Sequence, residues 1–325
     1  MTAPYRVFVT RALPGNGFAQ LLEDPAFDLD VWPEDFPPPR DELLARVAGV
    51  DGLVCLITDT IDGQVLDAAG SQLRVVSQMA VGVDNVDVAA CAERGIPVGN
   101  TPGVLTDTTA DMAWALILAS ARRVVEAAEY VKDGEWKTWT PTQIAGIDVH
   151  GATLGIIGFG AIGQAIARRA QGFGMRVLCW NRSPRPKEAA AVGAEQSEFD
   201  LVLSQSDFVC VSIALTDDTR DLIDARAFEL MKPGAILVNT ARGPIVDEDA
   251  LAAALRDGQI GGAGLDVTAV EPLSMDSPLL TMDNVVVLPH IGSASMATRG
   301  KMADMAVANL RAGLAGQPLP NSVGS

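Results

Sequence analysis

"ATLGIIGFGAIGQAIARRAQGFG", residues 152–174, is the stretch from which the fold can be read. An apolar run, ATLGIIG, leads without a break into GFGAIG, and a helical pattern, IGQAIARRAQGFG, follows. Gly158, Gly160 and Gly163 stand in G-x-G-x-x-G spacing. Among 31 glycines that spacing alone means little; after a strand and before a helix it predicts a dinucleotide-phosphate turn. Gly158 permits the tight turn, Gly160 lets backbone approach a pyrophosphate, and Gly163 lets the helix sit close to the strand. The helix start, with Ala161 and Ile162, offers free N–H groups and a partial positive charge. The alternative is a glycine-rich packing turn without a ligand, and the strand–turn–helix context counts against it.

In such a fold the second strand ends about 20 residues after the glycines, normally on an acid that binds the ribose hydroxyls. Here that strand is MRVLCW (175–180), and Asn181, Arg182 and Ser183 follow it, with Arg185 behind. A carboxylate would repel a 2′-phosphate, whereas guanidinium holds one by charge-assisted paired bonds. The expected cofactor is therefore NADP(H), with NAD(H) possible but weaker. A solvated basic loop, with cofactor choice set elsewhere, is the competing reading.

Outward from this centre, short β-branched runs alternate with helical patterns. YRVFVT (5–10), FDLDVW (27–32), GLVCLI (52–57) and LRVVSQ (73–78) read as strands before it. DFVCVSIA (207–214), GAILVNTA (234–241), GAGLDV (262–267) and NVVVLPH (284–290) read as strands after it. Continuously apolar strands separated by helices predict buried parallel sheets. A single long helix is expected over TDTTADMAWALILASARRVVEAAEYVKDG, opened by Thr108 and Asp111 in capping-box spacing and ended by Gly134. The expected fold class is α/β: two Rossmann-like or flavodoxin-like parallel-sheet domains with a cleft between them. Residues 1–100 with 296–325 form the expected substrate domain, and residues 101–295 the dinucleotide-binding domain.

At 325 residues and 48% hydrophobic, the chain can bury a sizeable core. The net charge of −17 argues against nucleic acid as a partner, since such binding needs a basic surface. No run approaches the ~20 apolar residues of a membrane span, and the N-terminus lacks a secretion pattern. Cys55, Cys91, Cys179 and Cys210 are far apart, so neither a disulfide frame nor a metal site is expected. They suit a reduced, cytoplasmic protein.

Three strand ends carry polar groups: Arg242 after GAILVNTA, Asp266 with Glu271 after GAGL, and His290 after NVVVLP. Ligands of open α/β sheets bind beyond the carboxyl ends of strands, so these groups can converge at the cofactor. Of the two histidines, His150 precedes ATLGIIG at its entering end and is the poor candidate; His290 lies at the correct edge.

GFGAIG, NTARGPIVDEDAL, GLDVTAVEPL and LPHIGSAS, in that order, make the chain resemble the D-isomer-specific 2-hydroxyacid dehydrogenase family over nearly its whole length. MAVGVDNVD, RGIPVGNTPGVLTDTTADMAWALILASARR and DGEWKTWTP are most similar to its glyoxylate/hydroxypyruvate reductases. The resemblance implies NADPH-dependent reduction of a small 2-keto acid. It assigns Arg242 to the substrate carboxylate, His290 to proton donation and Glu271 to the far nitrogen of His290. It adds the Val81 and Gly82 amides, Leu56 and Ser293 to the substrate site. It places Thr109, Ser212, Thr240, Asp266 and Gly292 at the cofactor. It also implies a homodimer, with Trp136 and Trp139 walling the pocket or packing the dimer. Here the family's usual acid after the second strand is replaced by Asn181 and Arg182, and DVTAVEPL lacks an aromatic. Alternatives are oxidation of phosphite or another 2-hydroxy acid, or a corepressor-like protein that senses dinucleotide without turnover.

Overall fold

The computed structural model describes residues 3–323. It divides into two units, one holding the chain up to Leu105 and again from Ala294, the other Thr106–Ser293. Each is α/β with its own parallel sheet.

In the first unit the strands are β1 (Tyr5–Val9), β2 (Phe27–Val31), β3 (Gly52–Cys55), β4 (Val75–Gln78) and β5 (Val98–Gly99). They lie in the order β2-β1-β3-β4-β5, all parallel. β3 and β4 are buried at every residue, as strands covered on both faces must be. Edge strand β2 instead alternates, with Asp28 and Asp30 exposed, which discourages pairing with another chain. The last helix, Met296–Leu314, closes over β3 and β4. Its approach is tight: a Cβ on Gly313 would lie 2.5 Å from Val75, and Ser77 Oγ donates to Ala306 O at 2.8 Å.

The second unit holds β6 (Thr153–Ile157), β7 (Arg176–Trp180), β8 (Ala194–Gln196), β9 (Phe208–Val211), β10 (Ile236–Asn239), β11 (Gly262–Leu265) and β12 (Val285–Val287). Their order is β12-β11-β10-β9-β6-β7-β8, all parallel. Strand order therefore reverses between β6 and β9, the switch point at which open sheets of this kind take ligands. One face packs on the helices Thr106–Ala121 and Ala161–Ala170, where Trp114 stacks on Phe173 at 4.5 Å and donates to Ile166 O at 3.1 Å. The other face packs on Phe199–Gln205, Ala225–Leu230 and Glu248–Arg256.

The single long helix expected after residue 106 is two helices, Thr106–Ala121 and Val124–Lys132. Arg123 breaks it in the left-handed region, at φ 50°, while its guanidinium forks onto Glu126 at 2.6 Å. Tertiary contact ends the first helix: Ile147 N–H donates to Ala121 O at 2.9 Å, and a Cβ on Gly146 would meet that oxygen at 2.0 Å. Thr108 and Asp111 accordingly lie inside the helix, not at its cap, and Asp111 instead pairs with Arg169 at 2.8 Å. β5 and β8, of two and three residues, are further strands beyond those expected.

All four cysteines are buried and free. Burial pushes the thiols up, Cys91 and Cys179 to about 11 and Cys210 to about 12, so none is a thiolate near neutrality. Among the described residues no helix is long and apolar enough to cross a membrane.

Candidate active site

The glycine turn separates two kinds of glycine. Gly158 sits at φ 97°, and a Cβ there would come within 2.4 Å of Ser212 O. A Cβ on Gly163 would lie 2.3 Å from Gly158 O, so the protein's own packing demands both glycines. Gly160 is different: nothing lies within 4 Å of the place its Cβ would take. That open side, at the start of the ten-residue helix Ala161–Ala170, fits a ligand approaching the backbone. No side chain caps this helix, and its first-turn amides have no intrahelical acceptor.

At the end of β7, Asn181 braces the turn. Its Oδ1 accepts from Phe159 N–H at 3.0 Å and its Nδ2 donates to Ser183 O at 2.8 Å. Arg182, Ser183 and Arg185 are exposed beyond it, and residues 181–185 include no Asp or Glu. Arg182 Nη1 lies 3.5 Å from Asp218 Oδ2. Ser212 after β9 and Thr240 after β10 are half-buried at the same sheet edge. The donor set suits a dinucleotide phosphate: backbone amides at the turn, and guanidinium where the ribose is bound in this fold.

The next strand ends carry Arg242, Glu271 and His290. Asn239, the buried last residue of β10, grips the turn that follows: its Oδ1 accepts from Ala241 N–H at 3.0 Å and its Nδ2 donates to Arg242 O at 2.9 Å. Arg242 is half-buried, and its Nη1 donates to Ala241 O at 2.8 Å. A Cβ on Gly243 would fall 1.8 Å from Thr268 O, so only glycine lets this turn press against the loop after β11. In that loop Glu271 accepts from Thr268 N–H through Oε1 at 3.3 Å. Its Oε2 lies 2.8 Å from His290 Nδ1.

A carboxylate only accepts, so Nδ1 donates in this contact and Nε2 is the ring nitrogen that Glu271 does not engage. His290 is half-buried and sits at φ 55°, a region few side chains adopt. What holds it there is Asp266. The backbone oxygen of Asp266 accepts from His290 N–H at 2.9 Å. Its carboxylate accepts from Ile291 and Gly292 N–H, at 2.7 Å each.

Burial pushes the Asp266 carboxyl above the usual range, while the Ile291 and Gly292 amides and His290 pull the other way. A carboxyl so raised lends folding most support when protonated, below its unfolded value, and loses that contribution as pH rises through the folded value. The charged form is thus a cost to the fold that the loop geometry uses. Asp266→Asn keeps the shape but leaves one of the two amides facing an NH₂ group. It is expected to lower kcat by about 10- to 100-fold through ring misplacement. Its Tm should move by only a few degrees, because removal of the buried charge offsets the lost bond. Parallel kinetics and thermal unfolding check this; a large fall in Tm with kcat intact would remove the positioning role.

The resemblance implies a place at the cofactor for Asp266, and in the structure both its carboxylate oxygens accept from amides of the His290 loop. Gly292 packs between this carboxylate and buried Thr109, since a Cβ there would sit 2.9 Å from Asp266 Oδ2 and 3.4 Å from Thr109 Cγ2. Ser293 is half-buried beside it. In the first unit Leu56 follows β3, with its N–H on Asp59 Oδ2 at 2.7 Å and its oxygen accepting from Asn85 at 3.0 Å. Val81 and Gly82 follow β4, and Val81 O accepts from Asn100 at 2.8 Å. Trp136 and Trp139 are 60% and 76% exposed. The one signal of Asn239 in the sequence is an amide ending an otherwise apolar strand.

The chain is similar to known proteins over nearly its whole length. Residues 114–292 match the family described as D-isomer specific 2-hydroxyacid dehydrogenase, NAD binding domain. The glyoxylate reductase of Korarchaeum cryptofilum is 49% identical, covering 98% of this chain and 95% of that one. A solved protein of Thermus thermophilus superimposes with TM-score 0.92 at 47% identity, covering 98% and 99% of the two chains. The NADPH-dependent glyoxylate/hydroxypyruvate reductase of Sinorhizobium meliloti, solved with NADP and malonate, gives 0.82 at 31% identity, covering 99% and 97%.

Proposed function

The chain belongs to the D-isomer specific 2-hydroxyacid dehydrogenase family, and from that premise we propose that it reduces glyoxylate or hydroxypyruvate to the 2-hydroxy acid, with NADPH preferred over NADH. The observation that carries this reading is the 2.8 Å contact of His290 Nδ1 with Glu271 at the carboxyl edge of the dinucleotide-type sheet. The names of the Korarchaeum and Sinorhizobium relatives support the substrate class.

Gly158, Gly160, the Ala161–Gly163 amides, Arg182 and Arg185 would hold the cofactor, which when bound supplies the hydride for the keto carbon. Arg242 would clamp the substrate carboxylate, because its fork matches two oxygens. His290 would give its Nε2 proton to the carbonyl oxygen, so that the carbon gains hydride, the oxygen gains a proton, and a hydroxy acid leaves. Glu271 would orient the ring and stabilise the imidazolium that precedes transfer. In oxidation the same nitrogen would take the proton back.

The test is loss of NADPH absorbance on adding glyoxylate or hydroxypyruvate. Tight NADPH binding without turnover on any 2-keto acid would favour a sensing protein. For cofactor choice, Arg182→Asp is expected to raise the NADPH Kd by about 30- to 100-fold, through loss of a charge-assisted bond and added repulsion. The NADH Kd should change by less than about threefold. Equal losses for both cofactors, read by fluorescence titration, would dismiss the 2′-phosphate argument.

We also propose a homodimer and cytoplasmic residence. The helix Val124–Lys132 buries none of its residues, and Val124, Val125, Val131, Trp136 and Trp139 are each exposed, apolar area within one stretch of sequence that suits a second copy. Its test is a solution mass of twice 34.0 kDa.

A further inference from the structure

We propose that Asp218 sets the strength of the preference for NADPH, by competing with the cofactor's 2′-phosphate for the Arg182 guanidinium. The inference rests on the reading that Arg182 receives that phosphate. Its observation is the ion pair between Arg182 Nη1 and Asp218 Oδ2 at 3.5 Å. The chain that had no acid after β7 brings one to the same guanidinium from the loop after β9.

The position of Asp218 does not depend on Arg182. Asp218 lies in the short turn Asp217–Thr219, which a reciprocal cap fixes. Thr216 N–H donates to Thr219 Oγ1 at 2.8 Å, and that hydroxyl, on a buried side chain, donates to Ala214 O at 2.7 Å. Arg220 N–H closes the turn on Thr216 O at 3.0 Å. The backbone turn thus presents Asp218 through bonds that do not involve Arg182.

Magnitudes decide what such a pair can do. Its side chains are 65% and 79% exposed and share one long contact, so it contributes little to stability. A phosphate forms shorter, paired, charge-assisted bonds with the same fork. NADPH therefore binds at full strength only to the fraction of molecules in which the guanidinium is free of Asp218, and its apparent Kd rises accordingly. The carboxylate also repels the phosphate directly. NADH carries no 2′-phosphate and leaves the pair in place. Asp218 thereby narrows the gap between the two cofactors.

The test is fluorescence titration of NADPH and NADH with the near-isosteric variant Asp218→Asn, with Arg182→Gln, and with both together. Asp218→Asn is expected to lower the NADPH Kd by about three- to fivefold, the range of an exposed ion pair. The NADH Kd should move by less than about twofold. With Arg182→Gln already present, most of that gain should vanish, because the carboxylate acts through the guanidinium. An unchanged NADPH Kd in Asp218→Asn, or equal shifts for both cofactors, would overturn the proposal while a selective NADPH loss in Arg182→Gln kept the cofactor reading standing. A full gain that persists in the double variant would also overturn it, leaving plain repulsion. If Arg182→Gln costs NADPH nothing, both readings fall together.

Discussion

Replacing His290 with alanine is expected to lower kcat by about 10²- to 10⁴-fold, the usual share of a positioned acid in such a transfer. The NADPH Kd should stay within about twofold, because the ring bonds to Glu271 and not to the glycine turn. Alanine carries a complication: position 290 sits at φ 55°, where Asn is better tolerated than Ala. His290→Asn therefore isolates the chemistry, keeping a side chain suited to that backbone while removing the proposed proton donor. Both variants should be equally slow, and added imidazole should restore part of the rate to the alanine form. A variant at His290 that turns over near the parental rate ends its role as proton donor.

The second large effect is expected at Arg242. Arg242→Gln should reduce kcat/KM for glyoxylate by about 10²- to 10³-fold, or about 3–4 kcal/mol at 1.36 kcal/mol per tenfold. Most of the loss should appear in KM if the fork holds substrate and transition state alike. It should appear in kcat if the fork also polarises the carbonyl. Arg242→Lys keeps the charge without the planar fork and should fall between the parent and Gln. NADPH titration supplies the control, since cofactor affinity should barely move. Unchanged kinetics in Arg242→Gln would leave the substrate carboxylate without its expected partner.

Much of this architecture was legible because buried parallel strands need no alternation. ILVN, FVCV and GLVC read as strands from composition alone and are buried at every residue. The glycine turn was legible because its spacing reports backbone proximity, and Gly158 and Gly163 indeed admit no Cβ. The groups at the strand ends were legible from topology: Arg242, Glu271 and His290 each follow a strand of the same sheet. The break at Arg123 was not, since ASARRVVEA contains neither glycine nor proline and the cause is Ile147, remote in sequence. β5 and β8 were too short to carry a pattern. The work of Asp266 was hidden for a similar reason, because its acceptors are filled by amides 25 and 26 residues away.

The missing side chain at position 243 has a reach beyond its own turn. With Thr268 O where a methyl carbon would need to be, the segment bearing the guanidinium and the segment bearing the glutamate behave as two parts cut to a common face. Neither can be reshaped alone: lengthening one displaces the other, and the imidazole that depends on it. Variants designed to widen the range of acids accepted under the proposed function should therefore leave this seam intact.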